Sequence, residues 1–196
     1  MRTTILLATL VIMACFSGFS QAQDNMMGLY FDREAQSACL DATTITPYAA
    51  FELYVMLLNP TFPALYGFEF GMSVEGPGLL IEAQVENPNF VDVGSLGNHT
   101  IGFGVPTPML EVNVLLTFII RYMSTDNENV CFILRGSMPS SLDPLYPTAL
   151  LEGGVLLSMG VVPPGAGGCT ATIDEALCSI TPADSPTWGA LKSMYR

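Results

Sequence analysis

The chain has 196 residues, 50% of them hydrophobic, and sets 18 acidic side chains against 6 basic ones for a formal net charge of -12. So acidic a surface is repelled by phosphate backbones and anionic headgroups, which argues against nucleic acid and peripheral membrane binding. The length suits one domain with a substantial core and a tail.

The first 22 residues read as a secretory signal peptide. Arg2 gives the positive start, ILLATLVIMACF the apolar run, and Ser20-Gln21-Ala22 a small-x-small cleavage site before Gln23. That run is shorter than the ~20 residues a membrane helix needs, so no span is expected after processing. Ile12-Met13-Ala14-Cys15 resembles the lipobox of bacterial lipoproteins, and lipidation of Cys15 is the alternative to cleavage after Ala22. Either route makes the mature protein secreted, cell-surface or periplasmic.

Met27, Leu29 and Phe31 alternate in a first strand, followed by a polar loop. Residues 49–74 hold two period-2 runs around Asn59, Pro60 and Pro63: Phe51, Leu53, Val55 and Leu57, then Tyr66, Phe68, Phe70, Met72 and Val74. They predict a β-hairpin with one apolar face and a wide loop, because proline cannot donate to a ladder. After the turn at Gly76-Pro77-Gly78, Leu79, Ile81, Ala83 and Val85 predict another half-buried strand. In HTIGFGV, Ile101, Phe103 and Val105 point one way and Gly102 and Gly104 the other. The glycines leave a flat strip, which either admits a ligand or another backbone, or marks a weak edge strand.

The longest run, residues 110–123, alternates through Leu116, Phe118, Ile120 and Tyr122, and its middle is apolar on both sides, as in a central strand. After a polar turn at 124–129, Val130, Phe132 and Leu134 are expected to return antiparallel to it. A Pro-rich loop precedes a last strand, GGVLLSMGVV. From Pro163 the composition shifts to a Pro/Gly-rich linker. In the tail, Ser185 can cap a helix beginning at Pro186, with Trp188, Leu191 and Tyr195 on one face. That helix either docks on its own domain or serves as a tag for a sorting partner.

Regularly spaced strands with almost no helical pattern predict an all-β fold, a two-layer antiparallel β-sandwich of jelly-roll or Greek-key type with a short C-terminal helical tail. The organisation is a signal peptide at 1–22, a sandwich at 23–162, and a disulfide-pinned linker and tail at 163–196. Cys39, Cys131, Cys169 and Cys178 survive processing, an even number in an exported chain and so a disulfide set. The favoured pairing joins Cys169 to Cys178 and Cys39 to Cys131.

The run FELYVMLLNPTFPALYGFEFGMSVEGPGLLIEAQV resembles the opening of cohesin-type and related carbohydrate-binding-like sandwiches, with the likeness covering roughly residues 45–160. The resemblance implies a cohesin-like fold and a dockerin-type protein ligand. Where cohesins carry a Tyr-Asp-Pro-like turn after the aromatic strand, this chain reads SVEGPG.

No residue is marked out as catalytic. His99 is the only histidine, which removes multi-histidine metal sites, and no G-x-S-x-G elbow occurs. Asp126, Asn127 and Glu128 in one turn, and Asp32, Glu34 and Asp41 in the first loop, collect oxygen ligands of the kind calcium takes; solvated turns are the alternative, and no other cofactor is expected. Tyr30, Tyr54, Phe62 and Tyr146 lie off the apolar stripes or in loops, where exposed rings stack on sugars and buried ones anchor loops. The reading is a non-catalytic extracellular module that binds a protein or glycan in a surface assembly. The alternative is a small secreted hydrolase on a sandwich scaffold. An apolar sheet face points to a protein ligand, coplanar exposed aromatics to a glycan, and a cleft joining His99, acids and a serine to the enzyme.

Overall fold

A computed structural model describes residues 24–95, 97–162 and 168–174, apart from the side chains of 79–81. The signal peptide, Cys15, Cys178, and the helical reading of Trp188, Leu191 and Tyr195 lie outside the described residues. Within them the chain forms β1 (Met26–Tyr30), β2 (Cys39–Leu40), β3 (Ala50–Leu58), β4 (Ala64–Glu75), β5 (Gly78–Val85), β6 (Phe90–Asp92) and β7 (Asn98–Pro108). Then follow β8 (Val112–Tyr122), β9 (Val130–Arg135), β10 (Thr148–Leu150), β11 (Leu156–Ser158), β12 (Gly160–Val161) and β13 (Ala171–Ile173).

The strands make two layers. One sheet runs β12-β1-β3-β8-β5, and the other holds the remaining eight strands. In the second sheet Gly67 pairs with both Gly102 of β7 and Leu150 of β10, and Gly71 with both Asn98 of β7 and Arg135 of β9. β7 therefore takes one edge of β4, while β10 and β9 follow one another along the other. Pairing is antiparallel except for β1 with β12 and β13 with β2.

The alternating runs are strands, but the expected hairpins do not form. β3 pairs with β1 and β8, and β4 with β7, β9 and β10, so the loop through Pro60 and Pro63 crosses between layers. β8 and β9 likewise lie in different sheets. The physical reason is that each run has an apolar stripe to bury, and two stripes facing across a core bury more area than two lying side by side. Leu53, Val55 and Leu57 of β3 and Leu116, Phe118 and Ile120 of β8 thus meet Phe68, Phe70 and Phe132 of the other layer in one buried cluster. The expected last strand is also divided: β11 stays in the larger sheet and β12 changes to the smaller one.

β13 lies past the expected domain limit at 162 and is a sheet strand, not linker. Thr172 is registered with Cys39 on one side and Cys131 on the other. Those two cysteines are therefore two strand spacings apart, about 10 Å, beyond the ~7 Å that a disulfide spans. Cys131 instead bonds Cys169, with Cα atoms 5.2 Å apart. Cys39 is disulfide-bonded too, and its partner is neither of these. Both expected pairings are thereby corrected.

Candidate binding groove

β4 places Phe68, Phe70 and Met72 in the core, so Gly67, Glu69 and Gly71 face outward. Directly paired residues share a face. One outward row therefore runs Val91, Gly102, Gly67, Leu150, Leu156 across β6, β7, β4, β10 and β11. The next runs Thr100, Glu69, Thr148, Ser158. The first row has aliphatic side chains at both ends and glycine in the middle, which is the shape of a trench. A groove of about 300 Å³ lies there, lined by Val91, Gly102, Leu150 and Leu156 of the first row and Thr100, Glu69 and Thr148 of the second, together with Val93 and Ser141.

The two glycines serve different ends. A Cβ on Gly67 would lie 2.5 Å from the Ile101 carbonyl oxygen, so this residue permits close approach of β7. A Cβ on Gly102 would meet nothing within 4 Å, so its missing side chain leaves the trench open. Val91, Val93 and Leu156 on the walls are 64%, 74% and 40% exposed. A neighbouring depression of about 350 Å³, lined by Asn98, Ser137, Met138 and Pro139 among others, shares Val93 and Thr100 and lengthens the groove.

One end of the groove is polar. Glu69 is on the solvent-side face yet buried, because the loop after β9 folds over it: Oε1 accepts from the Ser141 N–H at 2.6 Å and the Ser140 hydroxyl at 3.2 Å, and Oε2 from the Ser141 hydroxyl at 2.7 Å. Beside it Thr148 is 1% exposed and its Oγ1 has no hydrogen-bond partner among the described residues. Buried polar atoms are seldom left unpaired, so an acceptor and donor here awaits a complement. Sequence reasoning missed Glu69 and Thr148. The signal it had was the glycine strip at Gly102.

The residues singled out by sequence fall elsewhere. Tyr30, Tyr54 and Met56 form a second buried cluster on the outer face of the smaller sheet, and Arg33 lies 5.1 Å over the Tyr54 ring. The Tyr54 hydroxyl donates to Glu52, and this hydrogen bond, with burial adding to it, raises the phenol above its ordinary pKa. Phe62 is in the main core, and Tyr146 alone of the four aromatics is exposed. The structure does not bring them together.

His99 packs in the core, its ring centroid 5.1 Å from Phe70 and 5.5 Å from Phe118. Nδ1 is 2.8 Å from Asp92 Oδ2, and Nε2 is buried without a partner among the described residues. A base needs reach to a reacting proton, and this nitrogen faces apolar packing.

In the 124–129 turn, Ser124 Oγ accepts from the backbone N–H groups of Asp126 and Glu128. The Asp32 carboxylate accepts from the N–H groups of Glu34, Gln36 and Ser37, and Asp41 caps a 3-10 turn through the Thr43 N–H. The Asp32 and Asp41 carboxylates are thus spent on backbone donors. No group of three or more His, Cys, Asp or Glu able to hold a metal occurs among the described residues.

No family model and no curated protein matches the sequence. Solved structures match it on fold. The sixth cohesin of Acetivibrio cellulolyticus scaffoldin B, solved in complex with a dockerin, gives a TM-score of 0.52 at 10% identity, over 78% of this chain and 99% of that one. A cohesin module of a Clostridium perfringens family 33 glycoside hydrolase gives 0.48 at 10% identity over 71% and 92%. A non-cellulosomal cohesin of the archaeon Archaeoglobus fulgidus gives 0.43 at 10% identity over 71% and 86%. The first carries the comparison, and at that identity the likeness concerns backbone layout alone. The chain folds as a cohesin-like β-sandwich.

Proposed function

We propose that the protein is a non-catalytic extracellular module that binds a protein ligand through the outer face of its larger sheet. The observation that carries this reading is the groove over Gly102: an open trench with exposed aliphatic walls and, at one end, the buried Glu69 carboxylate and the unpaired Thr148 hydroxyl. Its volume lies at the small end of ligand sites, enough for one or two anchoring side chains and not for an enclosed metabolite. Apolar walls exclude water around an anchor, and polar groups at one end fix its orientation. Burial of Tyr30, Tyr54 and Phe62 favours a protein ligand over a glycan, which needs exposed rings. Export is supported by the signal-peptide pattern and the disulfides.

A random-peptide display selection on the immobilised mature protein tests the reading, with Gly102→Leu as counter-target because that side chain grows into open groove. Peptides that carry an aliphatic or aromatic anchor beside Lys or Arg, and that lose binding to the variant, are expected. Enrichment of peptides that bind both proteins equally refutes it, as does no enrichment on a chain whose Trp188 is open to solvent.

A further inference from the structure

We propose that the groove is occupied by the protein's own segment 185–196, with Trp188 seated over Gly102 and Lys192 at Glu69; this rests on the groove being a peptide site. The chemistry on the two sides is complementary. Glu69 is buried among neutral donors only, and neither ion pair among the described residues includes it. Its removal from water is already met by the fold, so an arriving cation gains attraction without a second desolvation of the carboxylate. Thr148 Oγ1 adds an unpaired acceptor. The segment offers two matching donors, the indole N–H of the chain's single tryptophan and the ammonium of its single lysine.

Spacing and charge agree. Trp188 and Lys192 are four apart, with Leu191 between them at i+3, so a helical turn presents all three on one side. Against 18 acidic side chains the chain has 6 basic ones, and Lys192 and Arg196 are two of them. The segment is thus a basic, aromatic ligand beside an acidic body, attracted to it before any contact forms. A groove of about 300 Å³ takes an indole and an aliphatic neighbour and little more.

The segment also reaches. Trp188 lies 14 residues beyond Asp174, a span of up to about 48 Å when extended. From β13 the strand of Glu69 is two strand spacings across, about 10 Å, and that of Gly102 three, about 14 Å, and neither residue is further along the sheet than the length of β4, about 40 Å.

Trp188 is a built-in probe, because no other tryptophan contributes to the emission of the full mature chain. Acrylamide quenching and emission position are measured for wild type, Gly102→Leu and Glu69→Gln, with a thermal melt of each as the folding control. The expected result is a shielded, blue-shifted Trp188 in wild type, a several-fold rise in quenching in Gly102→Leu, and partial exposure in Glu69→Gln and in wild type at high salt. A fully exposed Trp188 in the wild type overturns the proposal, as does shielding that neither variant changes or that disappears on dilution. If Gly102→Leu fails to fold, Lys192→Glu replaces it. Display peptides captured by the groove while Trp188 stays exposed would end this inference and leave the peptide-site reading standing; absence of both ends both.

Discussion

Replacing Phe70 by alanine tests the facing of the two sheets. The Phe70 ring is 0% exposed, and its centroid lies 5.8 Å from Phe68, 5.1 Å from His99 and 6.2 Å from Phe118, which belongs to the opposite layer. Removing a buried phenyl group costs about 3–5 kcal/mol. Each lost ring pair adds about 0.5–1.5 kcal/mol beyond area, so the upper end of that range is expected. Against a total stability of about 5–15 kcal/mol this is a large fraction. For a domain of this size it lowers the melting temperature by about 8–20 °C. Near-ultraviolet circular dichroism of the oxidised protein during thermal and urea unfolding reads it directly. The paired control is Glu69→Leu, which leaves the Ser141 N–H without its acceptor at a cost of about 1–3 kcal/mol. A larger loss for Glu69→Leu than for Phe70→Ala would refute the assignment of inner and outer faces.

Gly67→Ala should destabilise by about 1–3 kcal/mol through contact with the Ile101 carbonyl, while Gly102→Ala, in open space, should be neutral or stabilising by about 0.4–1 kcal/mol; equal effects in urea melts would remove the distinction between the two glycines. Non-reducing peptide mapping should recover Cys131 linked to Cys169. That bridge closes a loop of 38 residues, for which chain entropy predicts about 4 kcal/mol, read as the loss of stability in Cys131→Ser with Cys169→Ser. Calcium or EDTA should leave the melting temperature unchanged, because Asp32 and Asp41 are engaged by backbone N–H groups; a rise with calcium would overturn that account. Tyr54 is held neutral by its bond to Glu52, so its contribution persists below the ordinary tyrosine range and disappears as pH rises through the elevated folded value. An alkaline unfolding midpoint unchanged in Tyr54→Phe would contradict this.

Period-2 alternation alone determined where the long strands are and which stripe of each faces the core along its middle, because that period is a property of each strand's own backbone. Phe70, Leu53 and Phe118 are inside as read, and the glycine strip at Gly102 did mark an opening. Tertiary structure decided the partners. A stripe says which face is apolar and not whether its complement lies beside it or across the core, so β3 and β4, adjacent in the chain, ended in different layers. The same blindness to pairing misassigned the disulfides, since only the register of β13 with β9 and β2 sets Cys131 within reach of Cys169 and two strand spacings from Cys39. Burial on an outer face was equally out of view. Tyr54 and Glu69 sit at positions that alternation gives to water, and each is covered by residues far from it in sequence, Tyr54 by Tyr30 and the loop after β1 and Glu69 by the loop after β9, which only the folded chain brings there.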